Sequence, residues 1–153
     1  KNRIIPDIVK AIKKNKDIFL RNPKAVRPWQ HVMDPLSGYL NLGLKLIDGK
    51  LNKNLYPSWN FGPSSSKVSN VLKLTKTFLK IWNIKRKIKI EKKKLFKETN
   101  YLRVNIKKAK NELKWKPKIS FYDSIKLSVD WYKYSKDIKI SQKITNEQIE
   151  KYY

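Results

Sequence analysis

Short extended segments alternating with amphipathic helices predict an α/β fold in which helices dominate and strands are few. Two observations carry this. Apolar residues recur at helical spacing over several stretches, whereas extended candidates such as Ile18-Phe19-Leu20 are only a few residues long. Strands so short and scattered make a poor parallel sheet by themselves. They read as additions to a sheet that a preceding N-terminal part begins. No internal repeat occurs, so a solenoid is excluded.

Element by element, Pro6 suits the first turn of a helix on which Ile8, Val9 and Ile12 share a face. Lys13, Lys14 and Lys16 load its C-terminal end, where the helix dipole favours cations. Ile18-Phe19-Leu20 reads as a strand ended by the turn pair Asn22-Pro23. Val26 to Val32 reads as extended, because Pro28 disfavours a helix there. Asp34 can cap a helix with Pro35 at its first position; Leu36, Tyr39, Leu40, Leu44 and Ile47 form its apolar stripe, and Gly49 closes it. Ser58 to Phe61 reads as a strand, and Gly62 to Ser66 as the turn after it. A helix is predicted from about Lys67 to Trp82, then extended segments at Lys87 to Ile90 and Tyr101 to Val104. Asn105 caps a short helix that Trp115-Lys116-Pro117 ends. Ser120 with Asp123 resembles a capping box, opening a helix that buries Phe121, Ile125, Val129 and Tyr132. Thr145 with Gln148 reads as a second box, starting a terminal helix. We expect residues 1–153 to form one ligand-binding part, with about 134–153 as a C-terminal tail and helix.

Composition sets the bounds on function. The chain has 153 residues, 40% apolar, enough to bury a core. It begins at Lys1, which leads us to expect a longer reading frame upstream. No apolar run approaches the roughly 18 residues of a membrane span, and we expect no signal peptide ahead of Arg3. Cysteine is absent and histidine occurs once, which excludes disulfides and a Cys nucleophile and argues against structural zinc. A cytoplasmic location fits. The net charge of +25 invites a nucleic-acid reading, but 32 Lys stand against 5 Arg, and nucleic-acid surfaces lean on the planar arginine fork. Most aromatics fall on apolar stripes, and Lys85 to Lys94 alternates with isoleucines as a half-exposed strand does. We expect no specific nucleic-acid partner and no membrane partner.

The run from Arg21 to Leu40, which includes Arg21-Asn22-Pro23, Val26-Arg27-Pro28-Trp29-Gln30-His31-Val32 and Gly38-Tyr39-Leu40, resembles the extended short-chain dehydrogenase/reductase superfamily. Within it the wording most resembles that of the CDP-glucose 4,6-dehydratase family. Arg3 to Asp7, Trp59-Asn60-Phe61-Gly62-Pro63, Ala109 with Trp115 and Pro117, and Asp130-Trp131-Tyr132 continue the match in order. Three positions depart from the family pattern: Lys97 stands for His, Asn105 for Asp and Lys114 for Gly. The resemblance implies an α/β fold, the C-terminal substrate-binding part only, with the N-terminal Rossmann part absent. It implies an enzyme that converts CDP-D-glucose to CDP-4-keto-6-deoxy-D-glucose with tightly held NAD, homo-oligomeric when full length. The catalytic and NAD-binding residues belong to the missing Rossmann half. No Gly-x-x-Gly-x-x-Gly loop occurs among the four glycines, and Tyr132 with Lys136 has the family's Tyr–Lys spacing by chance. This chain alone is expected to be inactive, and its role is to bind CDP-glucose.

A pyrophosphate calls for cationic, forked donors, which Arg supplies better than Lys. In a chain so poor in Arg, the five that remain are informative. Arg27 is the leading substrate-binding candidate, the alternative being a structural ion pair. Arg3 and Arg21 are further candidates, or surface charges paired with carboxylates. Ile5 and Pro6 lie where the resemblance places the nucleotide pocket, but equally suit a helix start. Trp29 packs against the sugar nucleotide or fills a seam. His31, the sole histidine, falls outside the family's catalytic set and reads as an orienting or packing group. Asn60 and Gly62 shape a turn. Trp59, Trp82, Trp115 and Trp131 read as core or as contacts with the missing half. The serines before Lys67 imitate a phosphate loop with the wrong glycine spacing.

Overall fold

The computed structural model describes residues 3–49, 51, 58–64, 69–91 and 99–153. In chain order the elements are α1 (Ile4–Lys13), β1 (Ile18–Leu20), β2 (Val26–Arg27), α2 (Met33–Ile47), β3 (Ser69–Asn70), α3 (Val71–Trp82), β4 (Ile88–Ile90), α4 (Lys107–Glu112), α5 (Phe121–Tyr134) and α6 (Ile138–Tyr152). Helices dominate, and the strands form two separate pairs. β1 runs parallel to β4, with Ile18 opposite Ile88, and β2 runs antiparallel to β3, with Arg27 opposite Ser69. A parallel bridge joins Val26 to Tyr101.

The main core is an α-helical sandwich around β1. Ile8 and Ile12 from α1, Ile18 and Leu20 from β1, Leu74 and Phe78 from α3, and Ile125 and Val129 from α5 are buried together. Burying each such side chain fully is worth about 1.5–3 kcal/mol, so this cluster fixes α1, β1, α3 and α5 to one another. A smaller cluster of Ala109, Leu113 and Trp115 takes Trp59 and Phe61 against it. Phe61 meets Trp115 edge to face with ring centres 5.0 Å apart, and it meets Tyr39 likewise at 5.2 Å. Its ring lies against Gly38, where an added Cβ would clash. Of the four tryptophans read as core or inter-half contacts, Trp115 is buried and Trp59, Trp82 and Trp131 are half-buried; Trp82 lies on the main cluster, and Trp131 donates to Thr145 Oγ1 at 3.1 Å.

Several expected elements differ. The extended run predicted over residues 26–32 pairs only at Val26–Arg27, because Pro28 has no N–H to continue a ladder. Asp34 does not cap α2 but lies inside its first turn, fully buried, because better donors reach its carboxylate from elsewhere. The stripe Leu36, Tyr39, Leu40, Leu44 and Ile47 is exposed, and α2 turns Met33, Asp34 and Gly38 inward instead. Gly49 does close α2, with φ of +65°.

Residues 58–61 are in no strand, and the Phe61 carbonyl accepts from Gln30 Nε2 at 3.0 Å. The helix expected from Lys67 begins at Val71, with Asn70 Oδ1 capping the Lys73 amide at 2.8 Å. Lys67 and its preceding Ser65 and Ser66 lie outside the described residues, as does Lys97. Tyr101 to Val104 forms only the single bridge. Ser120 accepts from the Asp123 amide as expected, at 3.1 Å. The second box fails: Asp137 caps α6 by accepting from the Ile140 amide at 3.0 Å, and Thr145 and Gln148 are interior residues bonding to α5. Asp137 outcompetes them because its carboxylate reaches exposed amides one turn on. Among the described residues no helix is long and apolar enough to cross a membrane.

Candidate functional site

An open cleft of about 560 Å³ lies where the start of α1, the end of β1 and strand β2 converge. That is a size suited to a small ligand. Arg3, Ile5, Pro6, Arg21, Arg27 and Trp29 all line it. Three of the chain's five arginines therefore reach one cavity from three element ends. Arg3 is the N-terminal flanking residue of α1, and its carbonyl accepts from the Asp7 amide at 3.0 Å. Arg21 follows β1 directly, and Arg27 is the last residue of β2. Ile4, Ile5 and Pro6 bring the first turn of α1 to the same wall, and its dipole favours an anion there.

Arg27 is half-buried, and its guanidinium is tied down. Nη1 donates to the carbonyl of Val26 at 2.9 Å and to that of Thr99 at 2.7 Å. An arginine held by carbonyls keeps its charge beside the cleft without the long-chain freedom that an exposed lysine retains. Trp29 is also anchored: its Nε1 donates to the Ser69 carbonyl at 2.9 Å, which fixes the indole against the main core. The cleft thus offers a cationic edge and an apolar, aromatic wall. Phe19, exposed on β1, and Val71 at the start of α3 extend that wall. Neither was singled out from the sequence. The alternating pattern of β1, with Ile18 and Leu20 turned inward, is the signal that sends Phe19 outward.

His31 does not line the cleft. It is buried at the start of α2, where the Met33 amide lies 3.5 Å from Nδ1. Burial pushes the imidazole pKa below its ordinary value, and the nearby Asp34 carboxylate opposes that shift. The neutral ring is therefore favoured. Asn60 is exposed, while Gly62 lies against Val104 and Ile106.

The strongest polar feature that sequence reasoning missed is the surroundings of Asp34. Its carboxylate accepts from the Lys118 amide at 2.8 Å, from the Ile119 amide at 3.4 Å and from Tyr152 Oη at 2.9 Å. Nothing local in the sequence joins residues so far apart. Tyr39, expected on an apolar stripe, is exposed, as are Tyr101, Tyr122, Tyr134 and Tyr153. The chain's own cations cover some of them, as Arg103 covers Tyr101 at 4.7 Å. Among the described residues no group of three or more metal-ligating side chains occurs.

No family model matches the chain. It is 30% identical over 133 residues to CDP-glucose 4,6-dehydratase of Salmonella typhimurium, a match that covers 87% of this chain and 36% of that protein. Among solved structures it overlays on dTDP-glucose 4,6-dehydratase from Bacillus anthracis in complex with NAD, with a TM-score of 0.67 at 22% identity. That alignment covers 93% of this chain and 42% of the other. The chain matches the C-terminal part of an extended short-chain dehydrogenase/reductase. A UDP-glucose 4-epimerase from Stenotrophomonas maltophila, solved with bound NAD and formylated UDP-arabinopyranose, shares this dehydrogenase/reductase-type fold at a TM-score of 0.75, 17% identity, and 89% and 41% coverage. The chain therefore spans little more than a third of the curated relative it matches. Among the described residues no glycine loop fits the pyrophosphate of NAD. Gly38 and Gly43 are inside α2, Gly49 ends it, and Gly62 packs on Val104, so no glycine loop cradles a dinucleotide pyrophosphate.

Proposed function

We propose that this chain is the sugar-nucleotide-binding part of a CDP-D-glucose 4,6-dehydratase, and that the cleft at Arg27 receives the CDP-sugar. The observation that carries the reading is the convergence of Arg3, Arg21 and Arg27 on one cavity beside Trp29 and the first turn of α1. A nucleoside diphosphate presents two needs that this cavity meets together. Its pyrophosphate takes forked cationic donors, and its base or sugar takes an apolar, aromatic wall. Arg27 is the main pyrophosphate ligand in this reading, with Arg3 and Arg21 adding charge and Trp29, Ile5 and Pro6 shaping the wall. His31 acts from behind, as packing at the start of α2. The 30% identity to the Salmonella dehydratase supports cytidine among the nucleotides.

The reaction assigned to the whole enzyme is loss of water from CDP-D-glucose to give the 4-keto-6-deoxy sugar. NAD and the acid–base groups belong to an N-terminal Rossmann part, and the setting is cytoplasmic deoxysugar synthesis by a homo-oligomer. This chain contributes binding and orientation.

The test is an NMR titration of the 153-residue chain with CDP-glucose, UDP-glucose and a DNA duplex. CDP-glucose is expected to shift the side-chain signal of Arg27 and the amides of Ile5, Arg21 and Trp29, and UDP-glucose to do so more weakly. With NAD added, no keto sugar should form. Preference for UDP-glucose would transfer the reading to a related epimerase or dehydratase. Salt-resistant, sequence-selective DNA binding would replace it altogether.

A further inference from the structure

Helix α6 has 15 residues, and of these only Tyr152 is buried. Ser141, Ile144, Thr145 and Gln148 are half-buried, so Tyr152 is the side chain of α6 inserted furthest, and its position is informative. Tyr152 Oη donates to Asp34 Oδ1 at 2.9 Å and lies 2.8 Å from Ser37 Oγ, and Ser37 Oγ accepts from Trp115 Nε1 at 3.0 Å. Lys118 reaches the Tyr152 carbonyl at 3.3 Å, and its ammonium lies 4.8 Å from the ring centre. The end of α6 is thereby tied to the first turn of α2.

We propose that Tyr152, which lines no part of the cleft, is a positioning residue for it: by holding the Asp34 carboxylate it fixes the start of α2 and the segment that carries Arg27 and Trp29. The proposal rests on the nucleotide-binding reading of the cleft. Asp34 is fully buried, so its oxygens depend wholly on protein donors, and losing one leaves a charge short of a partner. Between Asp34 and Arg27 the chain has little slack. The Asp34 amide donates to the His31 carbonyl at 3.2 Å, and the Trp29 amide to the Arg27 carbonyl at 2.9 Å. Pro28 between them has a fixed φ. A shift at Asp34 is passed on to Trp29 and Arg27 rather than absorbed.

A bland account holds that Tyr152 only fastens α6 to the body. Two other anchors of α6 separate the accounts, because both go to α5: Thr145 Oγ1 accepts from Trp131 Nε1 at 3.1 Å, and Gln148 Nε2 donates to the Leu127 carbonyl at 3.0 Å. The experiment compares Tyr152→Phe and Thr145→Val with the unaltered 153-residue chain. Amide exchange is read at Trp29 and Asp34, with the Ile18 amide of β1 reporting global unfolding, and CDP affinity is measured alongside. Tyr152→Phe should speed exchange at Trp29 and Asp34 about tenfold beyond any change at Ile18. It should also weaken CDP binding by about 2- to 30-fold. Thr145→Val should do neither, even where it lowers Tm as much. Equal effects of the two variants at matched Tm, or unchanged exchange at Trp29 and Asp34 in Tyr152→Phe, overturn the proposal. If the unaltered chain binds no CDP, the nucleotide reading fails, while the exchange data still decide whether Tyr152 holds the cleft wall.

Discussion

Arg27 donates to the carbonyl of Thr99 at 2.7 Å, across 72 residues of sequence. The same nitrogen holds Val26, so the side chain proposed to bind ligand also ties β2 to the segment after residue 98. Arg27→Lys keeps the charge but removes the planar fork and this double anchor. CDP binding by the variant is expected to weaken at least tenfold, about 1.4 kcal/mol or more. Arg86→Lys serves as the control, because Arg86 donates to its neighbour Lys85 and lies outside the cleft. Calorimetric titration of both variants decides it: equal losses would make Arg27 an ordinary surface cation.

Lys114 has φ of +55°, in the left-handed region that favours glycine. It is also a position at which the resemblance read from the sequence leads us to expect Gly. An L-residue there costs about 1–2 kcal/mol of strain, against about 0.5–1 kcal/mol of extra unfolded-state freedom for glycine. The strain is the larger, so Lys114→Gly should raise stability by roughly 0.5–1 kcal/mol. Urea unfolding of the variant measures it, and a lower midpoint would contradict the argument.

Local signals made most of the fold legible. The 3.6-residue stripe of α1, the Ser120 cap of α5 and the alternation of β1 each depend on neighbours in sequence, and all three appear. What was illegible depends on partners far along the chain. Asp34 has the residue type and place of a helix cap, yet amides more than 80 residues away take its carboxylate. Thr145 and Gln148 have the spacing of a capping box, yet their side chains bond to α5. Trp59 to Phe61 has strand-like composition, yet Phe61 instead packs its ring on Gly38 between Tyr39 and Trp115. For the cleft, residue chemistry pointed to Arg27, and the family resemblance supplied Ile5 and Pro6. Neither could report that the cleft extends to Phe19 and Val71 and leaves out His31.

Burial lowers the pKa of His31 below its ordinary 6.5, more than the Asp34 carboxylate restores. The unfolded chain therefore takes up this proton first. The stability due to the neutral ring is present above about pH 6.5 and is lost as pH falls through the folded value. Ordinary carboxylates titrate lower, near 4, which leaves pH 6.5 to 5 as a usable window. The unaltered chain should lose more stability between pH 7.5 and 5.5 than His31→Asn does, read as the shift in urea midpoint. Parallel pH profiles would mean that the imidazole titrates as it does in water.

At the alkaline end the same reasoning runs the other way for Tyr152. Its phenol is pushed up to about 12, first by burial and then by the Asp34 carboxylate, while the hydrogen bond with Ser37 works against the rise. Charging the phenol beside Asp34 would place two anions together, which the Lys118 ammonium near the ring offsets in part. The folded chain thus keeps a proton that the unfolded chain loses near pH 10. Stability from this group is full below about pH 10 and declines as pH rises towards 12. Lysine side chains ordinarily lose charge near the same pH and this chain has 32, so the unaltered chain alone cannot report on one tyrosine. The difference between it and Tyr152→Phe can, because the lysines are common to both. Below pH 10 the unaltered chain should be the more stable, by about 1–3 kcal/mol for a hydrogen bond to a buried carboxylate. That gap should narrow steadily from pH 10 upward, followed by urea unfolding. A gap that stays constant to pH 11.5 would show that the phenol does not hold its proton at Asp34.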